Sequence, residues 1–569
     1  MAEYLEFKKV QCKDCYKCLR SCPVKAIKVT NHQAQVIQDR CILCGKCISV
    51  CPQNAKMVHS ELMNVLQLLQ GEQQVVASVA PSFVSSFSIN DFSVFQIALA
   101  KLGFAFAEET AVGAQEVVRQ YRDLLNTGEY KNFITSACPA ACQMIQKYYP
   151  KALQYLAPVD SPMIAHAKLL RKRFPNAKIV FIGPCIAKKK EAAESEYIDN
   201  VLTFEDLQKL FTEKNIVLKD IASLPHTEGE GVANRSKAFP TTHGIIRSFD
   251  VLPENYEYLA VDGIDTCIEA LKNIESLDHV FMEISVCSNS CINGPCKLEQ
   301  EGGIIKAFSD IRNYVNMELQ TKKQVPDTAA PSIDMEHKYP RLRNSSLPGT
   351  DKEISDILHK TGKFTPEDEL NCSACGYATC RDKAWAVLNG YADIEICMPY
   401  MRKRAESMSY EIIHSNSEGI LVVDHELNIV DINKRAIELL GIKEQSPIGK
   451  NIYQTIEAFE LNELLSNQYN TSVKRFFIDN TQRYVDININ MLQRNSILYA
   501  SMKDVTDEVN YGKQLQEMRE ETLNTTNEVI KKQMRTAQEI ASLLGETTAE
   551  TKVALTKLKQ MLQNTEEGK

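Results

Sequence analysis

The chain has 569 residues, of which 44% are hydrophobic and 24% charged, and its formal net charge is −8. That length exceeds one core and predicts several domains, and the acidic balance argues against nucleic acid or an anionic membrane as the main partner. No stretch approaches the ~20 apolar residues of a membrane span, and the N-terminus runs into a cysteine motif with no signal-peptide pattern, so the expected location is cytoplasmic.

The 19 cysteines then carry the argument. Disulfides are rare in a reducing compartment, and most of these cysteines fall at metal-ligand spacings. Residues 1–58 hold Cys12, Cys15, Cys18 and Cys22, followed by Pro23, and then Cys41, Cys44, Cys47 and Cys51, followed by Pro52. This is the C-x2-C-x2-C-x3-C-P run in which three thiolates on a tight loop hold one [4Fe–4S] cluster and the fourth ligates the other. Cys12, Cys15, Cys18 and Cys51 are assigned to one cluster, and Cys41, Cys44, Cys47 and Cys22 to the second. Two full copies with both prolines weigh against structural zinc. The resemblance is to bacterial ferredoxins, which implies an electron wire.

Residues 70–318 alternate apolar strands, such as Val75–Ala80 and Ile179–Ile182, with amphipathic helices such as Phe204–Leu210, which predicts parallel α/β units. Three distant motifs stand out: Thr135-Ser136-Ala137-Cys138-Pro139, Gly183-Pro184-Cys185-Ile186-Ala187-Lys188-Lys189, and Glu283 through Gly294 with Cys287 and Cys291. Four cysteines on three loops at strand ends can hold one cubane in a crevice between two lobes.

These motifs, in this order, resemble the catalytic domain of [FeFe]-hydrogenases. The resemblance implies an H-cluster, a [4Fe–4S] cubane joined to a diiron subcluster with CO, cyanide and azadithiolate. Cys138, Cys185, Cys287 and Cys291 would be cubane ligands, with Cys291 also bridging to the diiron unit and Lys188 donating to a cyanide. The implied reaction is reversible cleavage of H2 to two protons and two electrons. The departures matter equally. Catalytic members carry two adjacent cysteines in the first motif, and here the first is Ala137, which cannot relay protons. Gly183 and Ser285 replace methionines, and Ser288-Asn289-Ser290 replaces Pro-Gly-Gly. Gln115–Asp123 does not clearly supply the usual relay carboxylates. The pattern is similar to sensory subgroups of the family. Cys142, Cys267 and Cys296 read as buried small apolar residues, with a place near the cluster as the alternative for Cys142 and Cys296, which lie close to ligand motifs.

Residues 319–350 are polar, hold Pro and Ser, and read as a linker. In residues 351–404, Cys372, Cys375, Cys380 and Cys397 suit one [4Fe–4S] cluster, with zinc as the open alternative for four thiolates. This stretch resembles the small four-cysteine domain of corrinoid proteins and sensory hydrogenases, and Trp385 is expected to pack against its own cluster lobe. Residues 408–507 resemble a PAS domain, on Asn416–Asp424, Ile429–Ala436 and the exit Asp504-Val505-Thr506-Asp507. No Cys or His stands out there as a haem or flavin anchor, which favours an empty relay or dimer module. Residues 508–569 carry two heptad seams, Met534, Ala541, Thr548, Leu555, Leu562 and Ile530, Ala537, Leu544, Thr551, Leu558. They suit a coiled-coil or helix-hairpin dimer element, or else an ordinary amphipathic helix.

The expected fold is therefore multidomain α/β and α+β: a ferredoxin-like 2[4Fe–4S] domain, a two-lobed α/β hydrogenase domain, a small Fe–S domain, a PAS domain and coiled-coil-like C-terminal helices. The expected function is H2 sensing with slow oxidation. A redox partner such as ferredoxin is expected, with a signalling kinase or phosphatase to read the state and a homodimer to transmit it. The alternatives are an ordinary ferredoxin-linked hydrogenase and a cluster-only relative without the diiron unit.

Overall fold

Val75–Val79 is buried at every position, as a parallel strand covered on both faces must be. It lies in a four-stranded parallel sheet ordered Phe106–Glu109, Val75–Val79, Lys178–Gly183, Asn200–Thr203. A second parallel sheet is ordered Glu257–Asp262, Val280–Ser285, Asn132–Ile134. The computed structural model describes residues 4–7, 11–223, 233–299, 301–322, 331–342, 348–443, 447–455, 473–492 and 497–563.

Each sheet has its own aromatic core. Phe83, Phe87, Phe95 and Phe211 pack edge-to-face or tilted in the first lobe. Phe133 stacks on Phe281 at 5.5 Å in the second. Helix Leu62–Gln70 places Val65 in the first lobe's core, so the central domain's packing begins before residue 70. The N-terminal domain is two short antiparallel pairs, Leu5–Phe7 with Lys56–Val58 and Ile27–Thr30 with Gln33–Val36.

The stretch 319–350, expected as a linker, is partly structured. Helix Gly303–Thr321 runs into it, and residues 331–342 are pinned to the central domain. Asp160 N donates to Met335 O at 2.9 Å, and Met335 itself is buried. Tyr339 Oη donates to Val159 O at 3.0 Å, and Gln146 Nε2 to Pro340 O at 3.0 Å. Isolated apolar residues in a polar run give no periodic signal, which is why this strap is invisible in the sequence. The rest of the linker, 323–330 and 343–347, lies outside the described residues.

The chain divides into two compact units, Met1–Met401 and Arg402–Lys569. The first contains the N-terminal, central and four-cysteine domains. The boundary falls inside helix Met398–His414, which spans the expected limit at 404–408. The second unit has a five-stranded antiparallel sheet ordered Ile429–Ile432, Gly419–Val423, Ile497–Asp504, Arg483–Leu492, Lys474–Ile478. Buried Asn433 ties it together: its Oδ1 accepts from Ile420 N and Ala436 N, and its Nδ2 donates to Ile413 O and Glu418 O. Asp504 accepts from Thr506 Oγ1 at 2.7 Å and Arg483 Nη1 at 2.6 Å, fixing the exit into one continuous helix, Thr506–Gln563. No hairpin interrupts that helix. Residues 564–569 of the expected tail lie outside the described residues, as do 444–446, 456–472 and 493–496 of the expected PAS domain.

Candidate metal centres

The three central motifs all follow carboxyl ends of parallel strands. Cys138 follows Asn132–Ile134 and caps helix Pro139–Tyr148, with Pro139 at its first position. Cys185 follows Lys178–Gly183, and Cys287 and Cys291 follow Val280–Ser285. The carboxyl ends of such sheets form the binding crevice. Gly294 is pressed onto Pro184, where a Cβ would stand 2.9 Å from the proline Cβ, so the second and third motifs touch.

The four sulfurs face one another electrostatically. Burial pushes the Cys185 thiol up to about 11 and the Cys291 thiol up to about 12, with Cys138 nearby in both cases. Cys287 is also raised by burial, with Cys185, Cys138 and Cys291 adding to it. Such a set is poorly stable as bare thiolates and is what a multi-iron cation would compensate. Lys188 is buried beside them. Burial opposes its charge, but Glu191, Cys185 and Cys291 outweigh that and raise its pKa. Its Nζ donates to Glu191 Oε2 at 3.1 Å and Ser161 Oγ at 3.3 Å.

One site residue escaped the sequence reading. Ser82, three residues after strand Val75–Val79, is buried, and its hydroxyl has no hydrogen-bond partner among the described residues. It lies at the same sheet edge as Cys185, since Ala80 N donates to Ile182 O at 2.8 Å. A lone serine after a strand carries no motif, so nothing in the sequence marks it. An orphaned buried hydroxyl is costly and fits a site that receives a polar group. The residue in place of the relay cysteine, Ala137, packs with an apolar cluster containing Val117 and Phe133. Cys142, Cys267 and Cys296 are buried; the Cys142 thiol donates to Ser136 O and the Cys267 thiol to Ser285 O.

In the N-terminal domain the two cysteine runs bend alike. Asp14 and Leu43 both have positive φ (54° and 58°), as do Tyr16 and Gly45 (57° and 74°). Left-handed backbone is uncommon outside glycine, and it recurs here at matching positions between the cysteines. Cys22, Cys41, Cys44 and Cys47 form one electrostatic group; burial raises all four, and Cys44 reaches about 12. Around Lys56, burial opposes the charge but Cys18, Cys47 and Cys51 outweigh it. Backbone N–H groups of Ala26, Leu43 and Ala55 point at Cys22, Cys41 and Cys51 sulfurs.

The four-cysteine domain surrounds a cavity lined by Cys372, Cys375, Cys380 and Cys397 together with Lys363 and Lys383. Thr379 and Asp382 form a capping box that starts helix Cys380–Leu388. Lys363 Nζ lies 3.5 Å from Cys397 Sγ. Among the described residues, no group of three or more His, Cys, Asp or Glu side chains closes on a single metal ion. The thiols of a cubane sit on separate irons.

Residues 73–295 match the family described as iron only hydrogenase large subunit, C-terminal domain. The chain carries an [FeFe]-hydrogenase-type domain. Residues 5–52 match a 4Fe-4S dicluster domain, 368–399 an Fe-S cluster family and 408–502 the PAS fold. Among solved structures, it is similar to a single-substitution variant of the [FeFe]-hydrogenase HydA1 from Chlamydomonas reinhardtii, at 16% identity over 50% of this chain and 100% of that one, with a TM-score of 0.40. A structure of HydA(deltaEFG) is 17% identical over 47% of this chain and 91% of that one, with a TM-score of 0.37. The PAS domain of an HTR-like protein from Haloarcula marismortui is 20% identical over 18% of this chain and 97% of that one, with a TM-score of 0.15. Likenesses at these scores carry nothing about chemistry. A comparison with curated proteins finds no match.

Proposed function

We propose that this chain senses H2, oxidising it slowly and passing the resulting redox state through its iron–sulfur centres to the PAS module and a partner regulator. Cys138, Cys185, Cys287 and Cys291 would hold the cubane, Cys291 would also bridge to the diiron unit, and Lys188 would donate to a cyanide. When bound, that group supplies heterolytic cleavage of H2. The protein's part is a dry pocket, a buried cation at Lys188 and the hydroxyl of Ser82.

The observation that carries the sensing reading is Ala137. The ligand cysteine beside it is retained, but the neighbouring position has only a methyl group and packs in an apolar cluster. Proton delivery by a positioned side chain contributes typically 10²–10⁴-fold, so its loss slows turnover while leaving binding intact. A ferredoxin-class redox partner, a kinase or phosphatase, a homodimer and a cytoplasmic setting complete the reading. So do four [4Fe–4S] clusters: two on the N-terminal runs, one at the central site and one at Cys372–Cys397.

The test is infrared spectroscopy after maturation with a diiron precursor. CO and cyanide stretching bands that shift under H2 are the expected result. Their absence in protein with full iron–sulfur content sinks the reading.

A further inference from the structure

The four-cysteine domain makes a contact that neither its own motif nor the central site explains. Gly376, immediately after Cys375, adopts φ +87° and lies on the helix Lys17–Ser21 that carries Cys18. A Cβ at Gly376 would stand 2.8 Å from Leu19 Cδ2 and 3.2 Å from Arg20 Cα. The next residue, Tyr377, is buried and has both Cys375 and Cys22 among its electrostatic neighbours. The ligand loop of the four-cysteine domain is thus laid on the ligand helix of the N-terminal domain.

Beside this contact sits Arg40, directly before Cys41. It is 9% exposed, and its Nε has no hydrogen-bond partner among the described residues. Its Nη2 donates to Val24 O at 3.3 Å, and the guanidinium faces three rings, Tyr391 at 4.7 Å, Trp385 at 5.7 Å and Tyr148 at 5.7 Å. Trp385 and Tyr391 belong to the four-cysteine domain, and Tyr148 to the central helix that Cys138 caps. Trp385 packs on Tyr391 of its own lobe at 5.9 Å and, from there, also faces Arg40 of the N-terminal domain. A buried cation held by aromatic faces is stabilising only where those faces stay in place, so it ties three domains at one point. It also places a fixed positive charge between cysteine sets whose iron–sulfur centres are anionic. Charge and hydrogen bonding around a cluster set its potential.

We propose that the four-cysteine domain is an electron-accepting branch docked on the N-terminal domain, with Gly376 as its close-approach contact and Arg40 as the positioning cation of the junction. This deepens the sensing reading and rests on it only for iron–sulfur occupancy. The transfer balances simply: one electron leaves a centre held by the N-terminal cysteines, which is oxidised by one, and reaches the Cys372–Cys397 centre, which is reduced by one. No bond or proton moves. The reductant is a low-potential one-electron donor such as reduced ferredoxin.

The experiment uses the full chain with iron–sulfur centres reconstituted and no diiron unit, so it is independent of H2 chemistry. One reducing equivalent of dithionite is added per chain, and rapidly frozen samples are followed by electron paramagnetic resonance. Cys397→Ala assigns the signal of the four-cysteine centre by removing it. Gly376→Val separates the ligand loop from helix Lys17–Ser21; Arg40→Met removes the cation while keeping length. The expected result is unchanged iron content with arrival of the electron slowed by about tenfold or more and, in fully reduced samples where both centres are paramagnetic, loss of magnetic coupling to the N-terminal centres. If Gly376→Val does not fold, Arg40→Met reads the same transfer. Unchanged kinetics and coupling in the folded variants overturn the proposal, as does zinc at Cys372–Cys397.

Discussion

Gly45 of the second cysteine run lies against the ring of Pro295, and a Cβ at that position would overlap it. Gly45 also has φ +74°, so alanine there meets both a steric and a conformational penalty. The contact sets the second N-terminal ligand loop on the Cys291 side of the central crevice, where Cys287 already counts Cys44 among its neighbours. Gly45→Ala is expected to destabilise the first unit by about 1–3 kcal/mol and to slow electron exchange between the two sites. Thermal unfolding and stopped-flow reduction check it.

Ala137→Cys restores a titratable group beside Cys138. With the diiron unit installed, H2 oxidation is expected to rise by about 10²-fold or more while the infrared bands stay the same. An unchanged rate would place the bottleneck elsewhere in the pocket.

Lys237 is almost fully buried between Glu109 and Glu318, with its Nζ 2.6 Å from Glu109 Oε1. Burial pushes the Glu109 carboxyl up, while Lys237 pulls it down; for Glu318 the balance goes the other way and its pKa is lowered. Removing Lys237 leaves Glu318 its second partner, Lys322 at 2.7 Å, but takes the paired cation from buried Glu109. Lys237→Met is expected to cost about 3–5 kcal/mol, read by urea unfolding, and the added loss of Glu109 in Lys237→Met/Glu109→Gln should recover part of it.

Glu283 accepts hydrogen bonds from the backbone N–H groups of Gly244, Ile245 and Ile246, yet burial outweighs them and pushes its carboxyl up to about 7. Its folded pKa exceeds the unfolded value of ~4.3, so the native state binds this proton more tightly. Its contribution is fully present below ~4.3 and is lost as the pH rises through 7. Stability is expected to fall over that window, and Glu283→Gln should flatten the fall in denaturant titrations at pH 5, 6 and 7.

Helix Thr506–Gln563 exposes Ile530, Leu544, Leu555 and Leu558. A single helix of 58 residues with such a stripe is expected to pair with a second copy. Light scattering on the full chain should give twice the 64.1 kDa chain mass, and Ile530→Glu/Leu544→Glu should return it to one.

Much of this protein was legible along the chain. Metal-ligand cysteines must stand at short, fixed separations, and the PAS strands must alternate, so both leave local patterns. Matches to a dicluster, a hydrogenase-type, an Fe-S and a PAS family answer the kinds of domain that the cysteine runs and strand pattern suggested. The pinned strap at 331–342, the orphaned hydroxyl of Ser82 and the aromatic box around Arg40 left no such trace. Each depends on residues far apart in sequence, such as Arg40 with Trp385 and Tyr391, or Tyr339 with Val159.

The division follows from the range of the forces involved. Ligand spacing, capping and strand alternation are set by bond geometry over a few residues, so the chain by itself displays the cysteine runs that mark candidate centres. Which centre faces which depends on non-local packing: Gly45 on Pro295, Gly376 on Leu19, and one buried guanidinium among three rings. Those contacts exist only once the domains have folded against one another, and they set the order in which the cysteine sets meet.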